Sequence, residues 1–153
     1  MADRKTAASF TEFVRDVEPR LRHALVAAFG VDAGSEATAE ALAYGWEHWD
    51  RVRDRPNPAG YLFGVGRNTA RRQASRRAVF PVPPVGHDHA VEPGLPAALA
   101  KLSEKQRIAV LLIHGDEWTW AEVAELLGVS VSTVQKHLDR GMSKLRAAIG
   151  VEL

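Results

Sequence analysis

Ser132, Thr133, Gln135, Lys136, Asp139 and Arg140 crowd a short stretch near the carboxyl end with groups able to read nucleic-acid bases. Between and beyond them, Val134, Leu138, Met142, Leu145 and Ile149 recur at intervals of 4, 4, 3 and 4, which is one buried stripe of a helix. On the outward face, Gln135 could pair bidentately with adenine, and Lys136 and Arg140 could take guanine or phosphate. Asp139 would repel phosphate and could accept from cytosine. The plain alternative is a solvated face of an ordinary helical bundle.

A second set lies in residues 58–78, which hold five arginines and no acid. At 100° per residue Tyr61, Leu62, Val65 and Thr69 share one side, while Arg67 and Arg71 fall opposite with Asn68 beside them. Such a face suits phosphate neutralisation, with affinity falling steeply as salt rises. A solvated basic helix end favoured by the helix dipole is the competing account. Other constellations are weaker. Gly60, Gly64 and Gly66 are in the wrong order for a dinucleotide loop and follow no strand, so close helix packing explains them better. His87-Asp88-His89 could chelate a metal but sits in a proline-rich stretch without a third ligand, and His23, His48, His114 and His137 lack metalloprotease spacing. Neither a G-x-S-x-G elbow nor a Walker lysine is present. Trp46, Trp49, Trp118 and Trp120 read as core anchors. No catalytic set, metal site or cofactor site is expected.

The elements that must position these residues are helical. Residues 79–94 contain four prolines and two glycines, so no helix runs through them, and they form a semi-extended linker able to span ~50 Å. Two small helical domains, 1–78 and 95–153, are expected on either side, giving an all-α fold. In the first, Ser9 and Glu12 form a capping box, Pro19 marks a second helix start running to Gly30, and a third helix covers Ser35 to Trp49. After the polar break 50–57, Asn57 caps a helix from Pro58 to Ala78. In the second, Ser103 with Gln106 and Thr119 with Glu122 are capping boxes for Glu104–His114 and Trp120–Leu127. The turn Leu127-Gly-Val-Ser130 leads into a last helix, 131–149. Two helices around a tight glycine turn, the second amphipathic with small polar and basic residues near its start, are the sequence form of a helix-turn-helix.

Length and composition bound the rest. The 153 residues, 46% hydrophobic and 25% charged, suit a globular chain of one domain or two very small ones. No apolar run reaches the ~18 residues of a membrane span, and acids early in the chain argue against a signal peptide, so a cytoplasmic protein is expected. Without cysteine there is no disulfide and no thiolate ligand. Net charge is only +1, but residues 1–78 hold 13 Lys+Arg against 10 Asp+Glu, a weak pointer to a polyanion. The 15 arginines against 5 lysines reflect a GC-rich genome in large part.

Together these motifs resemble a known family. Leu102-Ser-Glu-Lys-Gln-Arg-Ile-Ala-Val-Leu and Trp118-Thr-Trp-Ala-Glu-Val-Ala-Glu-Leu-Leu-Gly-Val-Ser-Val-Ser-Thr-Val-Gln-Lys-His-Leu are similar to region 4 of bacterial sigma factors. Ala39-Glu-Ala-Leu-Ala-Tyr-Gly-Trp46 and Asn57-Pro-Ala-Gly-Tyr-Leu-Phe-Gly-Val-Gly-Arg-Asn-Thr-Ala-Arg-Arg72 resemble region 2 of the extracytoplasmic-function class (group IV) of the sigma-70 family. The likeness covers about residues 10–78 and 95–148. It implies a non-enzymatic RNA polymerase subunit that binds core polymerase at the β′ clamp and the β flap, reads two promoter elements, and admits an anti-sigma partner.

By motif position, the resemblance gives region 2 the −10 element. The loop Arg51–Asn57, with Arg51, Arg53, Arg55 and Asn57, matches the family's base-capturing loop, and Arg67, Asn68, Arg71 and Arg72 its −10 helix. Ser132, Thr133, Gln135, Lys136, Asp139 and Arg140 fall where the family meets the −35 element. Glu36, Glu40, Tyr44 and Glu47 lie on the helix that would dock on the polymerase clamp. Here the family's usual Asp-x-Val-Gln-Glu-like run reads Glu36-Ala-Thr-Ala-Glu40. That departure motivates the alternative of a sigma-like DNA-binding regulator with weak or absent binding to core polymerase.

Overall fold

Gly30 turns the chain at φ +90°, a backbone conformation that side-chain-bearing residues rarely adopt, and so places a sharp corner between two helices. In this computed structural model, which describes residues 4–77 and 94–150, α1 is Arg4–Phe29 and α2 is Val31–Glu47. The short α3, Trp49–Val52, precedes α4, Pro58–Arg77. After the proline-rich stretch, most of which lies outside the described residues, come α5 (Leu95–Ala100), α6 (Glu104–Val110), a π turn (Leu111–Gly115), α7 (Trp120–Leu127) and α8 (Val131–Ile149). The fold is all-α, and no helix among the described residues is long and apolar enough to cross a membrane.

Several expected boundaries move. The helix is already running by Arg4, so Ser9 caps nothing, and Pro19 lies inside α1 rather than opening a second helix. Proline lacks one N–H, but Pro19 is exposed, so water can satisfy the carbonyl that loses its donor. The next helix begins at Val31, not Ser35, because Gly30 breaks the chain there. The expected polar break shrinks to residues 53–57, since Trp49 and Val52 are buried and draw a helical turn between them. Helix α5 was not expected. Glu104–His114 divides into α6 and a wider turn, in which the Asp116 N–H donates to Leu111 O at 3.1 Å and that of Trp118 to Leu112 O at 2.9 Å.

Helix α1 packs on α2 and α4, and α2 on α4. Leu62, Phe63, Gly66 and Ala70 form the buried face of α4, leaving Tyr61, Val65 and Thr69 half-buried at its edge. At Gly66 a Cβ would stand 2.8 Å from Leu25 Cδ1 and 3.2 Å from Ala37 O, so this glycine permits the close approach; at Gly64 it would meet nothing within 4 Å. One apolar core joins Leu21, Leu25, Leu62 and Phe63 to Ile108, Leu112, Val123 and Val134, spanning both halves of the chain. A smaller one gathers Ala98, Leu102, Val110, Leu138 and Leu145 beneath α8. Trp49 is buried against Phe10 and Phe13, with ring centroids 5.2 and 4.8 Å away. Contrary to expectation, Trp46 and Trp120 are not core anchors: each keeps 41% of its surface exposed.

Candidate nucleic-acid interface

Helices α7 and α8 are fixed by their ends. Thr119 and Glu122 form a reciprocal capping box, Gly128 closes α7 in the left-handed region, and the Ser130 hydroxyl accepts from Thr133 N at 3.2 Å. Ser103 and Gln106 cap α6 the same way. Val134, Leu138 and Leu145 are buried as their spacing predicts, with Met142 and Ile149 packed at the margin. Gly141 lets α8 cross α6 closely, since a Cβ there would lie 2.9 Å from Val110 Cγ2.

That burial aims the opposite face outward. Ser132, Lys136, Asp139 and Arg140 are exposed, and Thr133 and Gln135 are half-buried. The hydroxyls of Ser132 and Thr133 lie 3.0 and 2.9 Å from that of Ser130, clustering at the positive end of the helix. Beside them, His137 is held below its ordinary pKa, first by partial burial and then by Lys105 and Arg140. Two capped helices, a glycine turn and an exposed polar face are what entry into a major groove requires.

The second cluster surrounds the start of α4. Arg51, Arg53 and Arg55 are exposed, and the Arg55 guanidinium lies over the Tyr61 ring, 3.6 Å from its centroid. The Tyr61 hydroxyl is 3.2 Å from that of Tyr44, whose ring stacks on His48 at 4.1 Å. That hydroxyl contact, followed by burial, raises the Tyr44 pKa. A cationic and aromatic surface of this kind can stack an unpaired base. Asn57 Oδ1 accepts from Gly60 N at 3.0 Å, the expected cap, while its Nδ2 donates to Glu125 O at 2.6 Å.

Farther along α4, Asn68 and Arg72 are exposed, but Arg67 and Arg71 turn toward Glu104 at the start of α6. Glu36, Glu40 and Glu47 line the exposed side of α2 with half-buried Tyr44 near its end, and Glu36 also meets Gln73 Nε2 at 3.4 Å. The structure thus brings Tyr44 into the arginine-loop cluster and leaves the acids of α2 as a separate surface. Among the described residues no three histidine or acidic side chains gather as metal ligands, and the His87 and His89 pair lies outside them. Sequence reasoning missed Glu104 and Arg107. The latter is buried and donates to Leu102 O and Ala28 O, each at 2.6 Å. An arginine directly preceding the apolar run Ile108-Ala109-Val110 of α6 was the available signal.

Comparison with known proteins agrees with this geometry. A family model described as Sigma-70, region 4 matches residues 94–145. The RNA polymerase sigma-E factor of Streptomyces coelicolor is 31% identical over 119 residues, covering 71% of this chain and 66% of that protein. Its namesake in Streptomyces antibioticus is 31% identical over the same length, covering 65% of that protein. The chain therefore spans about two thirds of the length of the curated relatives it matches. Among solved structures, the sigma factor RpoE bound to the anti-sigma factor NepR from Bartonella quintana superposes with a TM-score of 0.69 at 20% identity, covering 95% of this chain and 99% of that one. CnrH in complex with the cytosolic domain of CnrY gives 0.59 at 21% identity, with 96% and 91% covered. These two likenesses show the fold, and the sequence matches show the lineage: the chain belongs to the sigma-70 family, in its extracytoplasmic-function class.

Proposed function

We propose that this protein is a promoter-specificity subunit of RNA polymerase, without chemistry of its own, that acts in the cytoplasm. Residues 1–78 serve as region 2, residues 79–94 as the linker and residues 95–153 as region 4. The observation that carries the reading is the capped helix-turn-helix inside the matched region, with Ser132, Lys136, Asp139 and Arg140 displayed on α8. In this reading Gln135, Lys136, Asp139, Arg140, Ser132 and Thr133 meet the −35 element. Arg51, Arg53, Arg55, Asn57, Arg67, Asn68, Arg71 and Arg72 serve the −10 element. Glu36, Glu40, Tyr44 and Glu47 face core polymerase, and the two solved neighbours, each bound to another protein, support an anti-sigma partner.

Melted bases taken from the stack cost a few kcal/mol, which a basic and aromatic surface can return through stacking and charge. The test is runoff transcription with core polymerase on promoters mapped by chromatin binding. Added protein should start transcripts at those sites and co-elute with core; failure to co-elute while still binding duplex would leave the regulator reading instead. Lys136→Ala or Arg140→Ala should weaken −35 binding by about 1–3 kcal/mol where a base is read, and equal losses on all sequences would mark a phosphate contact.

A further inference from the structure

The Glu104 carboxylate is a meeting point for guanidinium groups. Arg71 grips it with two prongs, Nε to Oε2 and Nη2 to Oε1, both 3.0 Å, and Arg67 Nε lies 3.9 Å from Oε1. Glu104 also opposes the burial that lowers the pKa of Arg107. It is the first residue of α6, where the helix dipole favours an anion. Only 17% of its side chain is exposed, against 49% for Arg71, so this carboxylate is drawn in among cations rather than left in solvent. An arginine fork closing on two carboxylate oxygens has the geometry it would use on a phosphate.

The pairing is one of several between the two halves. Arg107 donates across to Ala28 O, Asn57 donates to Glu125 O, and Arg20 pairs with Glu122. His23 lies 3.9 Å from Asp116. In the pairs Arg20–Glu122, Arg67–Glu104 and Arg71–Glu104 the basic member belongs to residues 4–77 and the acid to residues 94–150. Glu104 thus covers the part of α4 whose chemistry otherwise suits DNA, and the backbone carbonyl of Glu125 holds Asn57 of the α3–α4 loop as well.

We infer that Glu104 is an internal stand-in for a DNA phosphate, latching residues 94–150 over the Arg67–Arg71 face of α4 and shielding that face in the unbound chain. The inference rests on the reading of α4 as a nucleic-acid surface. DNA binding then exchanges one anion for another. Apparent affinity should fall less steeply with salt than it would for an open chain, because salt also loosens the latch.

The chain has no cysteine, so Asp16→Cys and Ala147→Cys supply one dye site in each half of the full-length protein. Glu104→Gln keeps shape and removes charge. It should lower energy transfer between the dyes, and it should raise affinity for a labelled random single-stranded DNA of about 20 nucleotides by roughly three- to tenfold. Its salt dependence should also be steeper. Exchanging the charges, Arg71→Glu with Glu104→Arg, should restore energy transfer and lose the tighter DNA binding of Glu104→Gln. Unchanged transfer in Glu104→Gln overturns the latch, whatever the DNA result. Reduced transfer with equal DNA affinity in both proteins overturns its shielding role. Reduced transfer with no DNA binding by either protein upholds the latch between the halves and overturns the reading of α4 as a DNA surface.

Discussion

His137 lies on α8 between Lys136 and Leu138, half-buried and close to Lys105 and Arg140. Burial and those two cations keep its imidazole from taking a proton that the unfolded chain would accept near its ordinary value of about 6.5. The stability it contributes is therefore present above that pH and is lost as pH falls through the lower folded value. His137→Gln should flatten the fall in thermal midpoint between about pH 7 and about pH 5, the interval in which histidine titrates. Equal slopes for the variant and the parent would show that other groups control acid sensitivity. The outward Lys136 and Arg140 were readable from spacing because an amphipathic helix has only one way to bury its stripe. Glu104 was not, since its role comes from arginines some 33 positions earlier in the chain.

Helix α4 shows what an element adds. Its three glycines looked alike as packing residues, yet only Gly66 stands against neighbouring helices, with Leu25 Cδ1 and the Ala37 carbonyl in the path of any Cβ. Gly66→Ala should cost about 1–3 kcal/mol, because a backbone carbonyl yields poorly. Gly64 faces open space, so Gly64→Ala should stabilise by about 0.5–1 kcal/mol through the helix propensity of alanine. Urea midpoints of the pair check this, and a shift of the same sign in both would refute the packing assignment. The capping boxes at Ser103 and Thr119 were legible because they are local reciprocal bonds. Ser9 with Glu12 has the same letters and forms no box, since α1 already runs through it from Arg4. A local motif cannot report where a longer helix begins.

Across the molecule, Arg107 ties the halves together. Its Nη1 donates to Leu102 O within its own half and its Nη2 to Ala28 O at the end of α1. Arg107→Met keeps much of the apolar stem but leaves both carbonyls without that donor, at about 1–3 kcal/mol for each buried group. Thermal unfolding should shift downward and small-angle scattering should report a larger radius of gyration. An unchanged radius would mean that the shared apolar core and the other polar contacts between the halves hold them together without Arg107. That core, running from Leu21 through Phe63 to Ile108 and Val123, was expected by no pattern in the chain.

Periodicity, caps and glycine turns are properties of neighbours in the chain, and they determined the all-α class, the helix-turn-helix and the outward face of α8. The proline-rich interval carried the expectation of two helical domains joined by a linker. How those halves meet depends on contacts between residues far apart in sequence, where no local rule links Arg71 to Glu104 or Arg107 to Ala28. Only the tertiary structure could decide that arginines suited to phosphate are held instead by a carboxylate of the same chain.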